Sequence, residues 1–150
     1  MRLALEPYSD RLVQEMRPMW HDHAREVGYS PSEVDPSLTI YSQAQKNGNL
    51  RIYTARFGAG WESTLVGYQV FFVMRHPHRN CKEANQDLLY VDPEVRKGFV
   101  ALKFMRWCDE QLRNEGVTFV YRQIRAKRNF APVLKRMGYE LTDLTFGRTL

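Results

Sequence analysis

The chain is poor in cysteine. Cys81 and Cys108 are the two it has, and their separation matches no metal-ligand spacing. That excludes a disulfide-stapled scaffold and a zinc ribbon, and two reduced thiols point to the cytoplasm. No apolar run approaches the ~20 residues that span a bilayer. The opening MRLALEPYSD has neither the length nor the cleavage pattern of a signal peptide. No membrane partner is expected, and the cytoplasm is the expected compartment. Internal repeats, low-complexity tracts and Gly/Ser linkers are missing too. The 150 residues, 43% apolar and 26% charged, therefore read as one globular domain over 1–150 with a core of its own.

Acid is scarce in the second part of the chain. Residues 1–92 carry 10 Lys/Arg against 11 Asp/Glu, whereas residues 93–150 carry 12 against 6. A concentrated positive field favours nucleic acid, a phosphorylated cofactor or an acidic protein surface. The basic stretch RQIRAKRN has no interleaved aromatics on which bases could stack, so nucleic acid is the weakest of these.

Periodicity supplies the elements. Arg2–Leu5 reads as a short strand. Ser9 is an N-cap for a helix with Leu12, Val13, Met16 and Trp20 on one face, which Pro18 should kink or divide and Gly28 should end. A short helix over Leu38–Lys46 stops at the turn Asn47-Gly48-Asn49. LRIYTARF and TLVGYQVFFVM form a hairpin, and Asp87–Val91 forms a strand closed by Asp92-Pro93. Ala101, Phe104, Met105, Cys108 and Leu112 mark an amphipathic helix that Gly116 terminates. VTFVYRQI follows as a strand, then a helix over Phe130–Met137, and YELTDLTFGRTL has strand composition. The order β-α-(α)-β-β-β-α-β-α-β predicts a mixed α/β (α+β) domain. Its central sheet carries helices on both faces and one right-handed β-α-β crossover.

Chemistry concentrates in YVDPEVRKGFVALKFMRW, where a strand, a cationic turn with one glycine and a helix meet. Such a junction offers unpaired N–H groups and a partial positive charge to an anion. His23 and Glu26 lie three apart on one helix face. Imidazole has the right intrinsic basicity to take a proton near neutral pH. The histidines of HPHRN have no metal spacing, so no metal site is expected.

The stretch LLYVDPEVRKGFVALKFMRWCDEQLRNEG and the later Met137-Gly138-Tyr139 resemble the GNAT (GCN5-related N-acetyltransferase) superfamily over essentially the whole chain. WHDHAREVG, LVGYQVFFV, HPHRN, NQDLLYVDPEVRKG and NFAPVLKRMGYE further resemble small GNAT-like proteins of tailed phages. The resemblance implies an acetyl-coenzyme A-dependent N-acyltransferase acting on an unidentified amine of a small molecule or protein. In the family, backbone amides of the turn hold the coenzyme A pyrophosphate, here Arg96, Lys97, Gly98, Phe99, Val100 and Ala101. The pantetheine arm lies along a splayed strand, here Leu89, Tyr90 and Val91. Phe99 occupies the middle glycine position of the motif, with Gly98 one residue early. The family's tyrosine acid aligns with Leu134, and its asparagine with Lys127, beside which Asn129 is the cofactor-binding candidate. Asp87 is the first candidate base and Glu83 the second, with His23 and Glu26 on the helix that borders the acceptor cleft. A homodimer is implied by analogy with the family. A non-catalytic binding protein directed at a host protein is the alternative to the enzyme.

Overall fold

The computed structural model describes residues 1–30, 34–60, 63–125 and 130–149. Its elements are β1 (Arg2–Glu6), α1 (Asp10–Val27), α2 (Leu38–Lys46), β2 (Leu50–Phe57), β3 (Thr64–Arg75), β4 (Lys82–Val91), α3 (Val100–Asn114), β5 (Phe119–Tyr121) and α4 (Ala131–Arg136). The strands form a mixed sheet in sequence order. Neighbours are antiparallel from β1 to β4, and β5 lies parallel to β4 after the α3 crossover.

Helix α1 begins where its cap predicts, with the Leu12 N–H donating to Ser9 Oγ at 3.2 Å, and it ends at Gly28 with φ of 87°. Pro18 does not divide it. Pro18 and the Gln14 carbonyl it leaves without a donor both belong to exposed residues, where water can serve as partner.

Two apolar layers cover the sheet. On one face Phe104, Cys108 and Leu112 of α3 pack on Tyr53, Phe71, Val73 and Ala84. On the other, Leu12 and Met16 of α1 meet Leu50, Ile52, Tyr68, Val70 and Tyr90. Helix α2 lies beside α1 on this second face and has no fully buried residue.

Three expectations about the strands need correction. β4 starts at Lys82, not Asp87. Its first half is polar in sequence, but Glu83 and Ala84 are buried between β3 and β5, and Gln86 is buried where it accepts from Arg122. β5 keeps three residues of the expected eight, since β4 and β5 pair only over Glu83–Asn85 and Phe119–Tyr121. The terminal segment forms no strand. Leu141, Leu144 and Phe146 stay exposed, the last at 94%, so strand composition there has no buried surface to face.

Register slips once within β4. Val70 pairs with Leu88 and Phe71 with Gln86, leaving Asp87 as the extra residue of a β-bulge. Before the bulge, Ala84 and Gln86 face the α3 layer. After it, Leu88 and Tyr90 face α1, and Val91 returns to the α3 layer.

Candidate active site at the end of β4

Beyond Asn85, β4 has no neighbour on its β5 side among the described residues. Gln86–Val91 run on with that edge unladdered. The strand ends in a tight turn. The Glu94 N–H donates to Asp92 Oδ1 at 2.8 Å, and the Val95 and Arg96 amides donate to the Asp92 carbonyl at 3.0 and 3.1 Å. Gly98 adopts φ of 75°, and a Cβ there would meet nothing within 4 Å. Helix α3 then starts at Phe99 with no side-chain cap. Among the described residues, no acceptor receives the amides from Lys97 to Leu102; the first bond across the helix start is Lys103 N–H to the Phe99 carbonyl. The Phe99 ring is 72% exposed, neither in the core nor packed beneath the turn. Gly98 absorbs the turn, so the neighbouring position tolerates a side chain.

Arg96 does something the sequence did not indicate. Its guanidinium donates to both oxygens of Glu26 at 2.6 and 2.7 Å and to the Val91 carbonyl, and it lies over the Tyr90 ring at 5.6 Å. Two candidates from different roles, Glu26 and Arg96, are thus one ion pair that ties α1 to the end of β4. Lys97 extends into solvent near Glu94 at 3.9 Å.

On the α1 face of the sheet lies a cavity of about 360 Å³. It lies between α1, α2, the segment joining them and the sheet, and Leu88 past the bulge forms part of its wall. His23 lines it and tilts against Tyr90 with ring centroids 5.8 Å apart. Burial pushes His23 below the ordinary imidazole value, Glu26 pulls it back up, Arg96 lowers it further and Asp87 raises it. His23 is therefore a neutral base at pH 7. Asp87, projected by the bulge, accepts the Tyr41 hydroxyl at 2.5 Å. Burial, then that bond, drive the Tyr41 phenol well above its ordinary range, so it remains a donor. Tyr41 was missed by sequence reasoning. It is 46 residues from Asp87, and nothing in its local pattern marks it.

The remaining candidates lie elsewhere. Glu83 sits at the start of β4, 4.0 Å from His76 of the HPHRN loop, at the opposite end of the strand from the turn. Leu134 is buried, so no hydroxyl acid occupies that point of α4. Asn129 and Lys127 lie outside the described residues. Tyr139 is held by Arg122 and Asp109, and burial pushes its phenol up to about 12. Among the described residues, no group of three His, Cys, Asp or Glu could hold a metal, and no helix is long and apolar enough to cross a membrane.

No protein-family model matches the chain, and no curated protein matches it in sequence. Solved structures do match it in shape. A ribosomal-protein-alanine N-acetyltransferase from Brucella melitensis biovar Abortus 2308 superposes with TM-score 0.72 at 13% identity, covering 100% of both chains. An aminoglycoside acetyltransferase from an uncultured soil metagenomic sample, in complex with trehalose, gives 0.70 at 16%, covering 99% of this chain and 96% of its own. A protein described as a transcriptional regulator from Bacillus halodurans C-125 gives 0.74 at 13%, covering 99% and 100%. At such identities the likeness speaks for architecture alone, and the architecture is the mixed-sheet fold of the GNAT acetyltransferases.

Proposed function

We propose that the chain is an acetyl-coenzyme A-dependent N-acyltransferase. The observation that carries this reading is the junction at the end of β4. A bare strand edge runs into amides Lys97–Leu102 that have no acceptor, and the same strand, at Leu88, walls a cavity that a neutral histidine also lines. The chain's residues fit the coenzyme. Gly98 and the uncapped start of α3 leave room and donors for a diphosphate, and the unladdered edge at Leu89 offers peptide groups to an amide-bearing arm, the Val91 carbonyl being taken by Arg96. When bound, the coenzyme supplies an acetyl thioester, the acyl donor.

The remaining work falls to the chain. His23 takes a proton from the acceptor amine on its unprotonated ring nitrogen, which leaves the amine lone pair free to attack. Asp87 holds Tyr41 in place and contributes negative charge that draws an ammonium toward the site. The Glu26–Arg96 pair fixes the wall that carries His23. With Leu134 at the point where the family places its acid, the departing thiolate is left to be protonated by solvent, a tolerable route for a thiol of ordinary acidity.

The test is direct. Acetyl-coenzyme A should raise the thermal midpoint by binding the native state. Thiol release with an amine acceptor should fall at least tenfold in His23→Gln with that shift intact. Buried Leu134 also favours a second reading, a GNAT-fold binding protein without turnover. That protein would show no midpoint shift at millimolar coenzyme.

A further inference from the structure

His23 shares its wall with two charges of opposite sign. Glu26 follows it by three residues on the same face of α1. The Arg96 guanidinium reaches back from the turn after β4 and donates to both Glu26 oxygens at 2.6 and 2.7 Å. A further donation, to the Val91 carbonyl, anchors Arg96 at the strand end. Both His23 and Arg96 touch the Tyr90 ring, with its centroid 5.8 Å from that of the imidazole and 5.6 Å from the guanidinium carbon. Contacts thus run in a closed circuit from His23 through Tyr90 and Arg96 to Glu26, and along α1 back to His23. With both oxygens accepting from Arg96, Glu26 is committed to the ion pair rather than to an incoming amine.

Resting on the acyltransferase reading, we infer that Glu26 and Arg96 are positioning residues for His23, opposed charges that hold the imidazole against Tyr90 and balance each other's pull on its proton. Unopposed, the Glu26 carboxylate would draw a proton onto the ring, and a protonated imidazole cannot serve as the base. Unopposed, Arg96 would repel that proton and leave a weaker base. Paired, they let burial dominate, in keeping with a depressed His23 to which burial contributes most, Glu26 and Asp87 upward and Arg96 downward. The other groups that face the ring come from three elements: Asp87 and Tyr90 of β4, Tyr41 of α2, and Asp35 of the segment joining the helices. Asp22, next to His23 on α1, is paired with Arg25 at 2.8 Å. The Arg96 and Glu26 side chains are 37% and 35% exposed, so water screens them in part. Their removal should therefore register in proton affinity more than in stability.

The opposite signs of the two charges separate this assignment from a merely structural one. The test is the imidazole titration of the protein without coenzyme, followed by NMR at the resonance that His23→Gln deletes. It should move to higher pH in Arg96→Gln and to lower pH in Glu26→Gln. The double variant should fall between the two, and Arg96→Lys, which keeps the charge, should titrate closer to the parent than Arg96→Gln does. The acid limb of kcat for transfer from acetyl-coenzyme A should follow the same order. Single variants that shift the titration in the same direction, or not at all, overturn the inference, because a plain brace loosens alike whichever partner is removed. Glu26→Gln decides by itself if Arg96→Gln does not fold: a titration that stays or rises overturns the assignment. The reading beneath fails separately. Titrations in the expected order, with turnover indifferent to His23→Gln, would remove His23 as the base and leave the balanced pair in place.

Discussion

The two faces of the sheet are built by opposite rules. The α3 face is filled. Phe104, Cys108 and Leu112 are wholly buried against Tyr53 and Phe71. The polar residues there are fully engaged. Arg122, with its side chain inaccessible, donates to Asp109, Gln69, Gln86 and Tyr139. Gln69 in turn donates to Cys108 Sγ at 3.1 Å. The α1 face has a comparable apolar inventory but stays open, with a cavity at its centre, an indole donor unsatisfied and a second helix that buries nothing completely. One side provides stability, and the other holds space. Close packing on both would leave no site.

That contrast can be broken on the filled face first. Arg122→Ala should cost about 3–5 kcal/mol in urea unfolding, because it strands half-buried Asp109 and the buried Gln69 and Gln86 carbonyl oxygens. Phe104→Ala should cost a similar ~3–5 kcal/mol through the void it leaves. Met16→Ala, bordering the cavity, should come in near the low end of its class, ~2 kcal/mol, since part of its surroundings is already empty. Equal losses at Phe104 and Met16 would mean that the cavity is closed in solution. Gly98→Ala should cost roughly 1–2 kcal/mol, from the left-handed backbone alone, since its Cβ meets no neighbour. Its acetyl-coenzyme A shift should shrink as the turn relaxes.

The smallest expected effect is with pH. His23 has its folded value depressed by burial, so the unfolded chain binds its proton more readily. The stability this contributes is complete above the ordinary imidazole value of about 6.5. It is lost as pH falls from there through the folded value, in a window lying wholly on the acid side. The facing charges are Glu26, Arg96 and Asp87. His23→Gln should flatten the urea midpoint across that window, and an unchanged slope would show that the imidazole is solvated. The acid limb of turnover should sit in the same window.

Much of this architecture was legible. Ser9, Gly28, Gly116 and the 3.6-residue apolar spacing of α1 and α3 are local signals, and local signals survive folding. What escaped was set by neighbours. The polar first half of β4 has no strand pattern of its own until β3 and β5 flank it, and the terminal Leu141–Phe146 stretch has strand composition although no strand stands beside it among the described residues. At the site, the turn with Gly98 announced itself through residue type. Tyr41 meeting Asp87, and Arg96 meeting Glu26, are pairings across 46 and 70 residues that no spacing encodes.

The unpaired residue in β4 has a further consequence. Deleting Asp87 would leave the phase of the strand intact, because Gln86 and Leu88 would become consecutive residues of a regular ladder and keep the opposite faces they have now. What the deletion would take away is the local kink and the carboxylate that accepts the Tyr41 hydroxyl. The inserted residue thus serves the cavity and not the register.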